Sequence, residues 1–254
     1  MKTAPLRIAP LRIAPLRIAP LRIALLTTGA LITPLLFTAR AVDLSGVWKI
    51  ATPITALRPV DGTVPPLTPA ALATYNAHKA AKSRGDLSWD TAQICKPPGE
   101  PRTMFESAWP FEIVQTGNRV EFLYQWNHLT CLVPIQNHQD TFTGPWYYGQ
   151  SVGHFEGQTF VVDDVGVSGD TSLDSDGLPH SDSIDLTERF TLQDGGKTLE
   201  ARIHIVDPAT FTKPWDTILR FTRQPLGSIT EDVCETRLHQ ESRYPVLPEK
   251  LYPR

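Results

Sequence analysis

The chain has 254 residues, 41% of them hydrophobic, with 24 basic and 27 acidic side chains. Six of the basic residues (Lys2, Arg7, Arg12, Arg17, Arg22 and Arg40) and none of the acidic ones lie in the first 41 positions, so the remainder carries 18 basic against 27 acidic side chains, a net charge of −9 against −3 for the whole chain. That balance argues against nucleic acid or an anionic membrane surface as a partner, since both are met by basic patches.

Four copies of Ala-Pro-Leu-Arg-Ile run from Ala4 to Ile23 and are followed by an uncharged apolar stretch, residues 23–38. Pro5, Pro10, Pro15 and Pro20 each remove a backbone donor, so the repeat is an extended basic leader and not a helix. Basic leader, short apolar stretch and the small residues around Ala39-Arg40-Ala41 make residues 1–41 a secretory signal by pattern, with the mature chain starting near Val42. The apolar stretch contains Pro34 and is shorter than the roughly 20 residues that span a bilayer; an uncleaved anchor is the alternative. Residues 42–254 are long enough for one all-β domain with a sizeable core, and a periplasmic or secreted location is expected, without stable membrane insertion after cleavage.

A first strand is expected at residues 47–51, then an irregular stretch with Pro53, Pro59, Pro65, Pro66 and Pro69. A helix over residues 70–82 follows, with Thr68 as its cap, Pro69 at the first helical position, and Leu72, Tyr75 and Lys79 on one side. Period-two alternation and turn residues place further strands at 111–116, 119–126, 129–135, 158–164, 184–192, 197–206, 217–223 and 229–234. Gly117-Asn118 is a hairpin turn that aligns Phe111, Ile113 and Gln115 with Val120, Phe122 and Tyr124. About nine or ten short strands and one helix near the mature N-terminus predict an all-β antiparallel barrel, with a β-sandwich as the alternative. Of Cys95, Cys131 and Cys234 at most two pair within the chain; Cys95 with Cys234 is the expected pair, and Cys131 a buried thiol inside a strand. Connectivity itself is not readable from spacing.

Asp43-Leu-Ser-Gly-Val-Trp48 contains Gly46-x-Trp48 on the first strand, which resembles the lipocalin and calycin signature; the resemblance implies a barrel with the Trp packed across one end. Cys95-x-Pro-Pro-Gly-x-Pro-Arg102, Gly149-x-Ser-Val-Gly-x-Phe-Glu-Gly-x-Thr-x-Val-Val-Asp163, Pro179-His-Ser181, Glu188-Arg189-Phe190, Asp207-Pro208, Lys213-Pro-Trp215 and Val233-Cys-Glu235 together resemble a family of secreted bacterial proteins of uncharacterised function. That likeness implies secretion and the barrel, and no reaction.

One hairpin yields the sharpest inference about chemistry. A turn at Gly195-Gly196 sets Leu192, Phe190, Glu188 and Leu186 opposite Leu199, Ala201, Ile203 and Ile205, which turns Glu188 into the apolar interior. A carboxylate there must be paired, hydrogen-bonded or protonated, and an inward Glu is also how a general acid or base acquires a raised pKa. A structural ion pair with Arg102 or Arg220 is the alternative. His180, in an acidic loop before that strand, and His128, at a hairpin tip, are candidate partners, although polar loop histidines are commonly just exposed. Tyr124, Trp126, Trp146, Tyr147 and Tyr148 supply aromatic surface for a planar or apolar ligand.

No His pair at metal-binding spacing appears, and no metal site is assigned. Asp174-Ser-Asp176-Gly177 matches part of a calcium loop but lacks the distal Glu, and reads as a solvated loop. Gly149-Gln-Ser151-Val-Gly153 fits a nucleophile-elbow pattern without the strand-turn-helix context it needs, and no dinucleotide or phosphate-loop fingerprint is present. The sequence therefore points first to a secreted enzyme of lyase, isomerase or cyclase type. It would work by cofactor-independent acid/base chemistry on a small apolar or aromatic molecule, with Glu188, His180 and His128 catalytic. The alternative is a non-catalytic lipocalin-like binder of such a molecule.

Overall fold

The computed structural model describes residues 42–136, 144–225 and 227–235. The expected signal, residues 1–41, lies outside them. Nine strands alternate in direction: β1 Gly46–Ile50, β2 Phe111–Gln115, β3 Arg119–Tyr124, β4 Thr130–Pro134, β5 Gln150–Glu156, β6 Thr159–Val165, β7 Asp185–Gln193, β8 Thr198–Val206 and β9 Trp215–Arg223. They lie in the order β4-β3-β2-β1-β9-β8-β7-β6-β5, each pair antiparallel.

An odd number of alternating strands leaves the first and last pointing the same way, so the sheet closes only through a parallel contact. Ile135 and Gly153 supply it, with the Gln136 N–H donating to the Gly153 carbonyl at 3.0 Å. A Cβ on Gly153 would lie 2.4 Å from the Phe160 ring and 2.9 Å from Val133; only glycine lets the two edges meet. The result is an all-β antiparallel barrel with one accessory helix.

The registers follow the alternation of the sequence. Phe111, Ile113 and Gln115 face Tyr124, Phe122 and Val120, and Leu192, Phe190, Glu188 and Leu186 face Leu199, Ala201, Ile203 and Ile205. Two strand assignments change. β5 escaped the sequence reading because Gly153 and His154 interrupt its apolar alternation. Residues 229–233 are not a strand: the backbone N–H groups of Thr230, Asp232 and Cys234 donate to the side chains of Gln125, His128 and Asn127 at 3.1, 3.1 and 3.2 Å, where a sheet would use a neighbouring backbone. The Cys95–Cys234 disulfide anchors the same segment, and Cys131 is free and buried.

The helix, α1 Pro69–Ser83, starts at Thr68, whose hydroxyl accepts from the Ala71 N–H at 3.4 Å. Its buried side chains are Ala71, Tyr75 and Ala81; Leu72 is 46% exposed, so the inward stripe is not the expected Leu72/Tyr75/Lys79 face. Lys79 instead lies over the Tyr75 ring, 4.3 Å from its centroid. Among the described residues no helix is long and apolar enough to cross a membrane.

The two barrel ends differ. The turns β2–β3, β5–β6 and β7–β8 are short and share one end with the start of β1, where Trp48 is fully buried. Its indole N–H donates to the Leu44 carbonyl at 3.0 Å, and the Arg223 guanidinium lies 4.2 Å over its ring. Arg223 also donates to the carbonyls of Ser45 and Gly196 at 2.6 and 2.7 Å. The opposite end carries the long β1–β2, β6–β7 and β8–β9 connections, and the candidate site lies beneath them.

Candidate site: a buried carboxyl triad

The β1–β2 connection enters the loop-rich end as a plug, fixed by Arg102. This side chain has no exposed surface; it grips both Asp90 oxygens at 2.8 Å and donates through Nε to Glu106 at 2.5 Å. Asp90 in turn accepts from the Ala92 N–H at 3.1 Å and starts the 3-10 turn Thr91–Ile94. A fully buried cation is tolerable because each N–H direction used meets a carboxylate. The plug carries Glu100 into the barrel.

Glu100 meets two carboxyls from the wall. Asp164 on β6 and Glu188 on β7 both point inward, Asp164 opposite Leu186 and Glu188 opposite Val162. With Phe122, Tyr124, Cys131, Val133 and Val162 the three line a cavity of about 10 Å³, close to the least space that holds one water molecule. The Tyr124 hydroxyl donates to Glu100 Oε1 at 2.7 Å, and the Ser151 hydroxyl donates to Asp164 Oδ1. Glu100 Oε2, Asp164 Oδ2 and Glu188 Oε1 are buried without a hydrogen-bond partner. Neither arginine that the sequence offered as an ion-pair partner reaches Glu188: Arg102 is spent on Asp90 and Glu106, and Arg220 pairs with Glu200 at 2.8 Å.

Burial therefore dominates the protonation of the triad. Glu188 is pushed well above the usual carboxyl range by burial and then by Asp164 and Glu100. Glu100 is pushed up to about 8 by burial, against the pull of the Tyr124 hydrogen bond, and Asp164 to about 7 by burial, against that of Ser151. Tyr124 and Cys131 are raised by burial and by Glu100, so the Cys131 thiol is no ready nucleophile.

The aromatic residues named from the sequence divide. Tyr124 lines the cavity, and Tyr148, half-buried, stacks on it with ring centroids 6.0 Å apart and planes 3° from parallel. Phe122 bridges Tyr124 and Phe190 at 6.5 and 5.3 Å. Trp126 is buried in a separate small cluster with Ala92 and Cys234, Trp146 is exposed, and Tyr147 does not line the cavity.

The histidines also lie apart from Glu188. His128 is exposed and holds the C-terminal segment through Asp232 and Thr230. His180 is buried, with Nε2 2.8 Å from the Thr171 hydroxyl and Nδ1 3.0 Å from the Ser181 carbonyl. Its pKa is lowered by burial; the neutral ring donates Nδ1–H to the Ser181 carbonyl, and the single Thr171 hydroxyl proton is shared between Nε2 and the Ser168 carbonyl 2.9 Å away. Neither histidine lines the cavity. The Asp174 loop is likewise not solvated: Asp174 is fully buried and accepts from the N–H groups of Leu57, Asp176 and Leu178 at 2.9, 3.0 and 3.0 Å. Among the described residues no three His, Cys, Asp or Glu side chains converge as metal ligands.

Glu100 and Asp164 were not singled out from the sequence; Ser151 was named there only within a nucleophile-elbow pattern lacking its context, and Cys131 only as a buried thiol. Asp164 carried a signal, because alternation along β6 sets it on the face of Phe160 and Val162. Glu100 carried none, lying on an irregular loop.

The closed antiparallel barrel, with Trp48 across one end, is consistent with a calycin-like fold, and its buried aromatic cluster is consistent with binding a small apolar or aromatic molecule. No protein-family model and no curated protein sequence matches the chain.

Proposed function

We propose that this is a secreted small-molecule-binding barrel whose apolar or aromatic ligand is held at the loop-rich end, against Tyr124 and the carboxyl triad. One observation carries the reading: three buried carboxyls each keep an unpartnered oxygen on one cavity, inside an otherwise aromatic and aliphatic interior. Each such group costs roughly 1–3 kcal/mol, and apolar residues of similar shape would remove that cost. A site that pays it has a use for the acceptors. The Cys95–Cys234 disulfide supports an oxidising compartment.

A ligand larger than water is admitted by outward rotation of Tyr148, whose ring covers Tyr124 in the geometry a planar ligand would adopt. The binding test is calorimetry of the purified protein with a panel of small aromatic compounds. Tyr148→Ala is expected to bind members of the panel more tightly than wild type, and Glu188→Gln to alter the selectivity. A panel with no binder to either wild type or Tyr148→Ala would remove the reading. Proton-transfer catalysis at the same place is the second reading, favoured by Glu100 near 8 and Asp164 near 7, values suited to acid/base exchange at neutral pH. Product formation in the same panel, abolished by Glu188→Gln while binding survives, separates it from simple binding.

A further inference from the structure

We propose that the cavity between Glu100, Asp164 and Glu188 is the seat of a primary ammonium group, so that the ligand of the barrel is a small amine with an apolar or aromatic body. This rests on the binding reading above and names the chemistry of its ligand. Three observations converge. The number of unpartnered oxygens, one from each carboxyl, equals the three N–H donors of a primary ammonium. The cavity of about 10 Å³ takes a head group no larger than water. Phe122 and Tyr124 are among the other residues that line it, with Cys131, Val133 and Val162, and aromatic rings attract cations.

A bare metal ion suits the triad less well, since the described carboxyls do not converge at ligand spacing, whereas N–H···O bonds are longer than metal–oxygen bonds. Among the described residues no lysine or arginine lines the cavity, and Arg102, the buried arginine of the plug, is held by Asp90 and Glu106.

The charge of the seat varies with pH. The ionisable groups facing it are Glu100 from the plug, Tyr124 from β3, Cys131 from β4, Asp164 from β6 and Glu188 from β7, with Tyr148 beside them; Asp163 adds a charge next to Asp164. All are acids, so at low pH the seat is neutral, and raising the pH through about 7 and about 8 ionises Asp164 and Glu100 in turn. A bound ammonium favours the ionised carboxyls, so binding releases protons and tightens as pH rises.

The test uses the purified protein with ammonium chloride against sodium chloride at equal ionic strength, and with benzylamine against benzyl alcohol. At about pH 8.5 ammonium should raise the thermal midpoint where sodium does not, and benzylamine should bind at least about tenfold more tightly than benzyl alcohol, as charge-assisted hydrogen bonds imply. Both preferences should shrink at about pH 6 and disappear in Glu188→Gln and, independently, in Asp164→Asn, each confirmed to unfold cooperatively. Equal binding of amine and alcohol with no ammonium effect overturns the ammonium seat and leaves the small-molecule reading standing. An ammonium effect with no binding of either benzyl compound supports the seat and overturns the aromatic body. No response to any probe overturns both.

Discussion

Glu188 and Asp164 face one another diagonally across neighbouring strands, Glu188 opposite Val162 and Asp164 opposite Leu186, both turned into a cavity that no lysine or arginine among the described residues lines. Like charges on adjacent strands are unfavourable, and with Glu100 above them the pair is kept largely protonated. The first consequence concerns pH. A carboxyl whose folded pKa lies above its unfolded value binds its proton more tightly when folded; its stabilisation is full below the unfolded pKa and is lost as pH rises through the folded one. The unfolded values here are 4.5 for Glu100 and Glu188 and 3.8 for Asp164, and all three are raised. Thermal stability should therefore fall between about pH 5 and about pH 8. Glu188→Gln should stabilise the protein at the upper end, where the wild-type carboxyl would have to ionise in a buried site, and change it little at the lower. Thermal unfolding of both proteins across that range checks this.

Arg102 gives the second prediction. Arg102→Met preserves much of the side-chain length but strands Asp90 and Glu106 as buried carboxylates, so the loss should be about 3–5 kcal/mol. Urea unfolding reads the loss directly. Because this residue fixes the plug that carries Glu100, amide exchange around residues 99–106 should accelerate in the variant before global unfolding.

At the opposite end, Gly46 has φ 139°, and a Cβ there would lie 2.3 Å from Arg223 Nη1. Gly46→Ala should displace Arg223 from the Trp48 ring and from the Ser45 carbonyl, at a cost of roughly 1–3 kcal/mol. Trp48 fluorescence and the unfolding midpoint should both shift, and Arg223→Ala should give a similar spectrum without the backbone strain.

Much of this architecture was legible because period-two alternation fixes which face a side chain takes. It placed Glu188 across from Ile203 and defined both hairpins, since a one-residue slip would have turned Phe190 and Leu192 outward. The same logic failed at β5, where Gly153 serves closure and not the apolar pattern, and at residues 229–233, where side chains of Gln125, Asn127 and His128 substitute for a partner strand. At the site, one of three carboxyls was found. Asp164 was readable by the rule that found Glu188, whereas Glu100 arrives on a loop positioned by the Arg102–Asp90 pair across 12 residues, a relationship that no local pattern encodes. His180 and His128 were drawn toward function by residue type alone; one braces a loop and the other a terminal segment.

Proton release on binding of an ammonium group depends on the triad holding its protons in the protein without added ligand, and side-chain carboxyl NMR with pH titration measures that directly. Wild-type protein is titrated, with Glu188→Gln and Asp164→Asn to assign the signals. Asp164 and Glu100 should titrate near 7 and 8 and Glu188 well above its usual range, and ammonium should lower all three. Titration of the three at their ordinary values of 3.8 and 4.5 would contradict a protonated triad.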